Sequence, residues 1–286
     1  MSEIRTYRMK KLSFKRKYLA MPYAVLLVVF IIIPLFIVVL CAFNTASVSA
    51  GGSLFSKFKF GFANFVFIFK ELNAFGILLK SLLFALASSA ICLFIAYPLA
   101  YFLSNKNYNK SAVMVMLFVM PMWINFLIRM LAVKNIFTFV GLHLSYGTAL
   151  IGNAYDFLPF MILPIYTTLA NMDKSLVEAS QDLGASPFRT FLRVTLPLSV
   201  PGILSGVIMV FMPTVSSFAV PKFLGRDLTL FGTMINKEIG GTANNWGFGA
   251  SLSIIMLILV GLSVFAANKF AKKRGGITDA TAGGMW

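Results

Sequence analysis

Asp156 is the only acidic residue inside a long apolar run of this chain. A carboxylate in such surroundings marks a functional site by default, unless it merely caps a helix or pairs with a cation such as Arg129. Trp123, Asn125 and Phe126 follow Pro121 in a neighbouring run. A proline inside a helix frees a backbone carbonyl and bends the axis, so polar groups beside it can reach a cavity. The same Trp and Phe also serve as ordinary packing. Pro213, Thr214, Ser216 and Ser217 interrupt a later run that Pro221 ends. They read either as a broken helix lining a pathway or as small hydroxyls at a helix contact. Enzyme chemistry has little to work with. Cys41 and Cys92 sit in apolar stretches and His143 is the only histidine, so no Cys/His set has metal-ligand spacing. No G-x-x-x-x-G-K-[ST] segment occurs either. No catalytic residue, metal or cofactor is expected, and ATP hydrolysis would have to come from another chain.

The polar segment from Asp173 to Pro201 is patterned as two short amphipathic helices. Ser175-Leu176-Val177-Glu178 reads as a capping box that opens the first. Gly184 is placed to close it in a left-handed conformation, and Ser186-Pro187 reads as the cap and first residue of the second, which should stop before Pro197. Leu176, Val177, Ala179 and Leu183 supply apolar contacts on the first helix, and Phe188, Phe191, Leu192 and Val194 face the membrane from the second. A loop that only connects would be short and polar. This one is built to be rigid, as an element that transmits force to a cytoplasmic partner.

These residues must be positioned by a membrane protein. Of 286 residues 59% are hydrophobic and only 12% charged, and mean hydropathy is +0.86; a soluble domain cannot hide so much apolar surface. Six apolar runs are long enough to cross a bilayer at about 20 residues each, over 19–43, 77–103, 112–133, 148–170, 200–222 and 248–268. The fold class is therefore all-α and polytopic. Residues 1–18 form a basic segment, 19–270 the six-helix domain with its loop 173–198, and 271–286 a tail. The first run is too long for a signal-peptide core and reads as a retained anchor. The net charge of +16 is concentrated at the ends of apolar runs, which points to membrane lipid rather than nucleic acid. Sixteen of the 25 Lys and Arg fall on the side of both termini, so both termini are expected in the cytoplasm. The Phe-rich stretch Phe55–Phe69 of the outer segment 44–76 is spaced like a helix or turn on the membrane surface.

Glu178-Ala179-Ser180, then Gly184, then Val194 and Leu196-Pro197 resemble the EAA loop, EAA-x3-G-x9-I-x-LP, of ABC importer permeases. Ser180 in place of the second alanine and Val194 in place of isoleucine depart from the pattern without changing its spacing. Pro121 to Arg129, Tyr155 to Phe160, Pro164-Ile165-Tyr166 and Gln181 to Ala185 are similar to the B-type permease subunits of spermidine/putrescine importers, and the likeness covers about 19–270. The resemblance implies the type I, MetI-like permease fold in a bacterial cell membrane. It implies that Leu176, Glu178, Ala179, Asp182, Gly184 and Ala185 form a coupling helix docked on an ATP-binding subunit dimer. It also implies a second, related permease chain and an extracytoplasmic polyamine-binding protein as partners. For a polycationic cargo the candidate pathway residues are Trp123, Asn125, Arg129, Asp156, Ser216 and Ser217, because carboxylates, hydroxyls and aromatic faces attract ammonium groups. Arg129 repels such a cargo and is expected to shape an outer gate by pairing with an acid. Another small cargo, such as an oxyanion, ferric ion or other cation, stays open. An ion-coupled secondary carrier would need more intramembrane charges and often two similar halves.

Overall fold

The computed structural model describes residues 21–45, 58–70, 74–105, 113–226, 228–241 and 245–273. The basic segment 1–18, most of the outer stretch before Phe58 and nearly all of the tail lie outside the described residues. The described residues are helical apart from loops and one isolated bridge, Asn44 to Phe60.

The first span, α1, runs from Met21–Leu27 through a π-turn, Val28–Ile32, into Ile33–Ala42. A short helix α2, Ala63–Lys70, follows in the Phe-rich segment. Phe43, Phe60, Phe62 and Phe65 stack there, and Phe67 meets Phe248 edge-on. The long helices are α3 Ala74–Ser104, α6 Tyr146–Ala170, α8 Pro187–Ser216 and α11 Trp246–Lys273. Between them lie α4 Val113–Trp123, α5 Phe126–Phe139, α7 Lys174–Asp182, α9 Ala219–Leu224 and α10 Phe231–Gly240.

The centre is a three-helix packing of α3, α6 and α8. The face that α3 turns inward carries small residues, Ser81, Ala85, Ser88, Cys92, Ala96 and Ala100, all buried. Lipid tails are as apolar as a leucine side chain, so membrane helices associate by close approach of backbones, and small side chains permit it. Ala96 and Ala100 thereby admit Met161, Ile162 and Ile165 of α6. Between α6 and α8 the contact is closer still. A Cβ at Gly202 would lie 2.6 Å from the Pro164 carbonyl, and one at Gly206 2.7 Å from the Met161 sulfur. Gly202 and Gly206 form a G-x-x-x-G seam. The outward faces of α1 and α4 remain apolar and exposed, as lipid contact requires.

Two spans differ from the sequence reading. Among the described residues five helices are long and apolar enough to cross a membrane, and the third span is instead a pair bent by 95°. The cause is local. Pro121 cannot donate to the preceding turn, Ile124 is extended, and the Asn125 side chain accepts from the Leu127 N–H at 2.9 Å, starting a new helix. The fifth span begins earlier than expected. The helix opened by Ser186 and Pro187 does not stop before Pro197 but runs on to Ser216. A π-turn at Phe191–Thr195 loosens the ladder where the Pro197 ring would strike the carbonyl four residues back. Pro213 lies inside that helix, which ends at Ser216, and Pro221 lies inside α9.

Candidate translocation pocket and coupling loop

A cavity of about 530 Å³ opens where the bend between α4 and α5 meets the end of α8. Its wall contains all six pathway residues expected from sequence: Trp123, Asn125, Arg129, Asp156, Ser216 and Ser217. Phe126 and Pro213, both weighed from sequence as pathway residues, line it as well, together with Phe157 and Phe160, to which the sequence did not point. Trp123, Asn125 and Ser216 are placed by irregularities of the backbone, where helices end or begin. Trp123 ends α4 and stands 85% exposed. Asn125 spends its side-chain oxygen on capping α5. Ser216 closes α8 and bonds back to the carbonyls of Met212 and Pro213 at 3.3 and 3.2 Å.

Asp156 lies ten residues into α6, whose start is capped by Ser145 and Thr148, so it caps nothing. Its carboxylate forms an ion pair with Arg129, and the two side chains are only 2% and 7% exposed. One turn away, Asn153 is fully buried and donates to Ser88 at 2.5 Å and Thr214 at 3.0 Å, while the Thr214 hydroxyl donates to the Val210 carbonyl at 2.7 Å. This hub ties α3, α6 and α8 together directly behind the cavity. Nothing in the sequence singled it out, because its partners lie 61 and 65 residues from Asn153.

At the other end of α8 sits the loop. Its first helix is α7, and its cap is Asp173, not Ser175: Asp173 accepts from the Ser175 N–H at 3.0 Å. That hydrogen bond stabilises the charged form and holds the Asp173 carboxyl below the usual carboxylate range. The capping box expected of Ser175 and Glu178 does not form. Glu178 falls two residues past the third helical position from which it could reach back, and its side chain is exposed. The closing end agrees with expectation. Gly184 has φ +80°, its N–H donates to the Gln181 carbonyl at 2.8 Å, and Ala185 N–H donates to Ser180 at 3.2 Å, the paired bonds of a Schellman cap.

Leu176, Ala179, Gly184 and Ala185 share a groove of about 470 Å³ with Arg189 and Val194. Glu178 lies on a different face, beside Tyr101 and Asn105 at the end of α3, and Asp182 is exposed. Leu183 and Phe188, expected to pack, are instead 88% and 72% exposed, and Leu192 is 45% exposed. Phe191 packs as expected, edge-on to Tyr97 and Tyr101. Ser180 and Thr190 hydroxyls meet at 3.1 Å, as do Tyr97 and Ser199 at 3.0 Å. The start of α8 is thus fastened to both α7 and α3.

Residues 11–274 match the family model described as binding-protein-dependent transport system inner membrane component. The chain is similar to the spermidine/putrescine transport system permease protein PotB of Haemophilus influenzae, 34% identical over 87% of this chain and 92% of that protein. It is 31% identical to PotB of Escherichia coli, over 82% and 90% of the two chains. Among solved structures it resembles a chain of a bacterial ABC transporter that imports alginate, with a TM-score of 0.65 and 18% identity over 92% of this chain and 96% of that one. That likeness confirms the MetI-like helical fold expected from the loop.

Proposed function

The chain belongs to the binding-protein-dependent transport system inner membrane components, and on that premise we propose that it is one permease half of an ATP-driven importer whose cargo is a polyamine such as spermidine or putrescine. The observation that carries the reading is α8. One helix of 30 residues, about 45 Å at 1.5 Å per residue, starts against the loop helix α7 and ends in the cavity wall at Ser216. A push on α7 therefore reaches the cavity through one unbroken helical rod, loosened only at its π-turn and prolines. It is fixed along its length by Phe191, by Gly202 and Gly206, and by Thr214.

In this reading a cytoplasmic ATP-binding subunit dimer docks on α7 through the exposed Leu176, Ala179, Leu183, Asp182 and Gly184, with both termini on the same side. Without a capping box to serve, Glu178 is a docking residue or a contact to the end of α3. Six spans enclose only half a channel, so a related second permease completes it. An extracytoplasmic binding protein supplies affinity, since a chain of +16 is a poor trap for a polycation. The cavity then acts as a transit site. Asp156 attracts an ammonium group, Trp123 offers a ring face, and Arg129 competes with that group for the carboxylate, so that release is not slowed by tight binding. The PotB relatives support the cargo; a ferric ion would find a single acid in the cavity wall, already paired with Arg129. The test is uptake of labelled spermidine and putrescine by cells with and without this chain, its partners being present in both. Loss of uptake without it is expected, and unchanged uptake would refute the assignment.

A further inference from the structure

We propose that the Arg129–Asp156 ion pair is a latch opened by charge exchange, in which an ammonium group of the cargo takes over Asp156 and the Arg129 guanidinium is expelled, freeing α5 from α6. The proposal rests on the reading of Asp156 as a contact for a cationic cargo. Its first ground is how poorly Arg129 is held. Nη2 faces Asp156, but Nε and Nη1 are buried and find no hydrogen-bond partner. A guanidinium normally satisfies its five N–H donors, and a buried cation is tolerated only beside its counter-charge. Asp156 alone keeps Arg129 inside. Once that carboxylate is shared with an ammonium group, Arg129 becomes an uncompensated charge in a medium of low dielectric, and its stable position is in water.

The second ground is that an exit exists and that it leads somewhere. Arg129 lies one turn into α5, just past the extended Ile124 at the 95° bend, and it lines the open cavity beside Trp123. The bend is a hinge that rotates α5 about Ile124 without breaking a helix. Around Arg129, on the same side of the helix, α5 packs through Phe126, Met130 and Val133 against Val220 and Leu224 of α9. Helix α9 follows the end of α8 after Ser217 and Phe218, and its Leu224 carbonyl accepts from Thr148 of α6 at 2.9 Å. Release of Arg129 therefore moves α5 and α9 together and loosens the end of the rod that begins at α7. Neutral solutes leave the latch closed, because they carry no charge to exchange for the guanidinium.

The assembled importer in proteoliposomes tests this, with labelling of a Ser217→Cys reporter in the cavity wall by an impermeant thiol reagent and with ATP hydrolysis in the absence of cargo. Labelling of a chain without the reporter gives the background from Cys41 and Cys92. Arg129→Gln should raise both rates at least about fivefold, the low end of usual coupling effects. Arg129→Lys, which can still pair, should keep them low. Arg129→Gln combined with Asp156→Asn replaces the ion pair by two amides of similar size. It avoids a lone buried charge, so it remains informative if Arg129→Gln does not fold, and it too should be unlatched and deaf to cargo. Labelling and hydrolysis at parental rates in the unpaired variants would overturn the latch. Spermidine loaded on the binding protein should speed labelling of the parent. If it does not while Arg129→Gln does, the latch stands and the polyamine reading falls.

Discussion

Gly184 and Asp173 delimit the loop helix α7, proposed to dock on the ATP-binding partner, and each acts through the backbone. At Gly184 φ is +80° and nothing lies within 4 Å of where a Cβ would be, so a substitution costs conformational energy alone. Alanine there should cost about 1 kcal/mol and valine more, because branched side chains resist the left-handed region. Gly184→Val is expected to leave the chain inserted at normal abundance while polyamine uptake per chain collapses; normal uptake would show that the cap does not set the coupling geometry. At Asp173 the Ser175 N–H stabilises the carboxylate and lowers its pKa. A depressed folded-state pKa stabilises the helix start above the unfolded value, about 3.9, and the effect is lost as pH falls toward the lower folded value. Protection of the Ser175 amide from hydrogen exchange should therefore fade below about pH 4, and Asp173→Asn, a cap without charge, should show no such dependence. Asp173 and Ser175 are equally good caps by residue type. Local sequence does not choose between them, which is why the start of α7 was misplaced while its end at Gly184, the one residue suited to φ +80°, was legible.

At the scale of elements, α8 is the part on which the reading depends. A Cβ at Gly202 would fall 2.5 Å from the Thr168 hydroxyl and 2.6 Å from the Pro164 carbonyl of α6. Backbone cannot yield as a side chain can, so Gly202→Val should separate the two helices and cost about 1–3 kcal/mol. A fall in the thermal midpoint of the detergent-solubilised chain would register it, whereas an unchanged midpoint would mean the seam is looser than described. Hydropathy period made the spans legible, and the EAA spacing located the loop. The continuity of α8 was not legible, because Pro197 ordinarily ends a helix and the π-turn that accommodates it leaves no mark in residue type. The break at Ile124 was half legible. Pro121 announced a bend, but whether it is a kink or a 95° turn depends on Asn125 capping a second helix. The cavity's polar residues were found by type, and the Asn153 hub was missed because a buried asparagine is intelligible only with its distant partners.

For the whole molecule, the excess of Lys and Arg on one side is the ground for the proposed orientation, and with it for the side on which a partner would use ATP. A cysteine at Ser186, exposed at the start of α8, should resist an impermeant thiol reagent in sealed cells and react once the membrane is opened; reaction in sealed cells would put the loop outside, out of reach of an ATP-binding partner. The net charge of +16 is also the ground for proposing that affinity resides in a binding protein rather than in the pore. The most direct test of the central claim is entry of labelled spermidine into proteoliposomes that carry this chain with its permease, ATP-binding and binding-protein partners. Accumulation should require ATP on the side of α7, stop with Gly184→Val, and be competed by putrescine but not by an oxyanion. Spermidine entry that continues without ATP, or that an oxyanion displaces, would contradict the account.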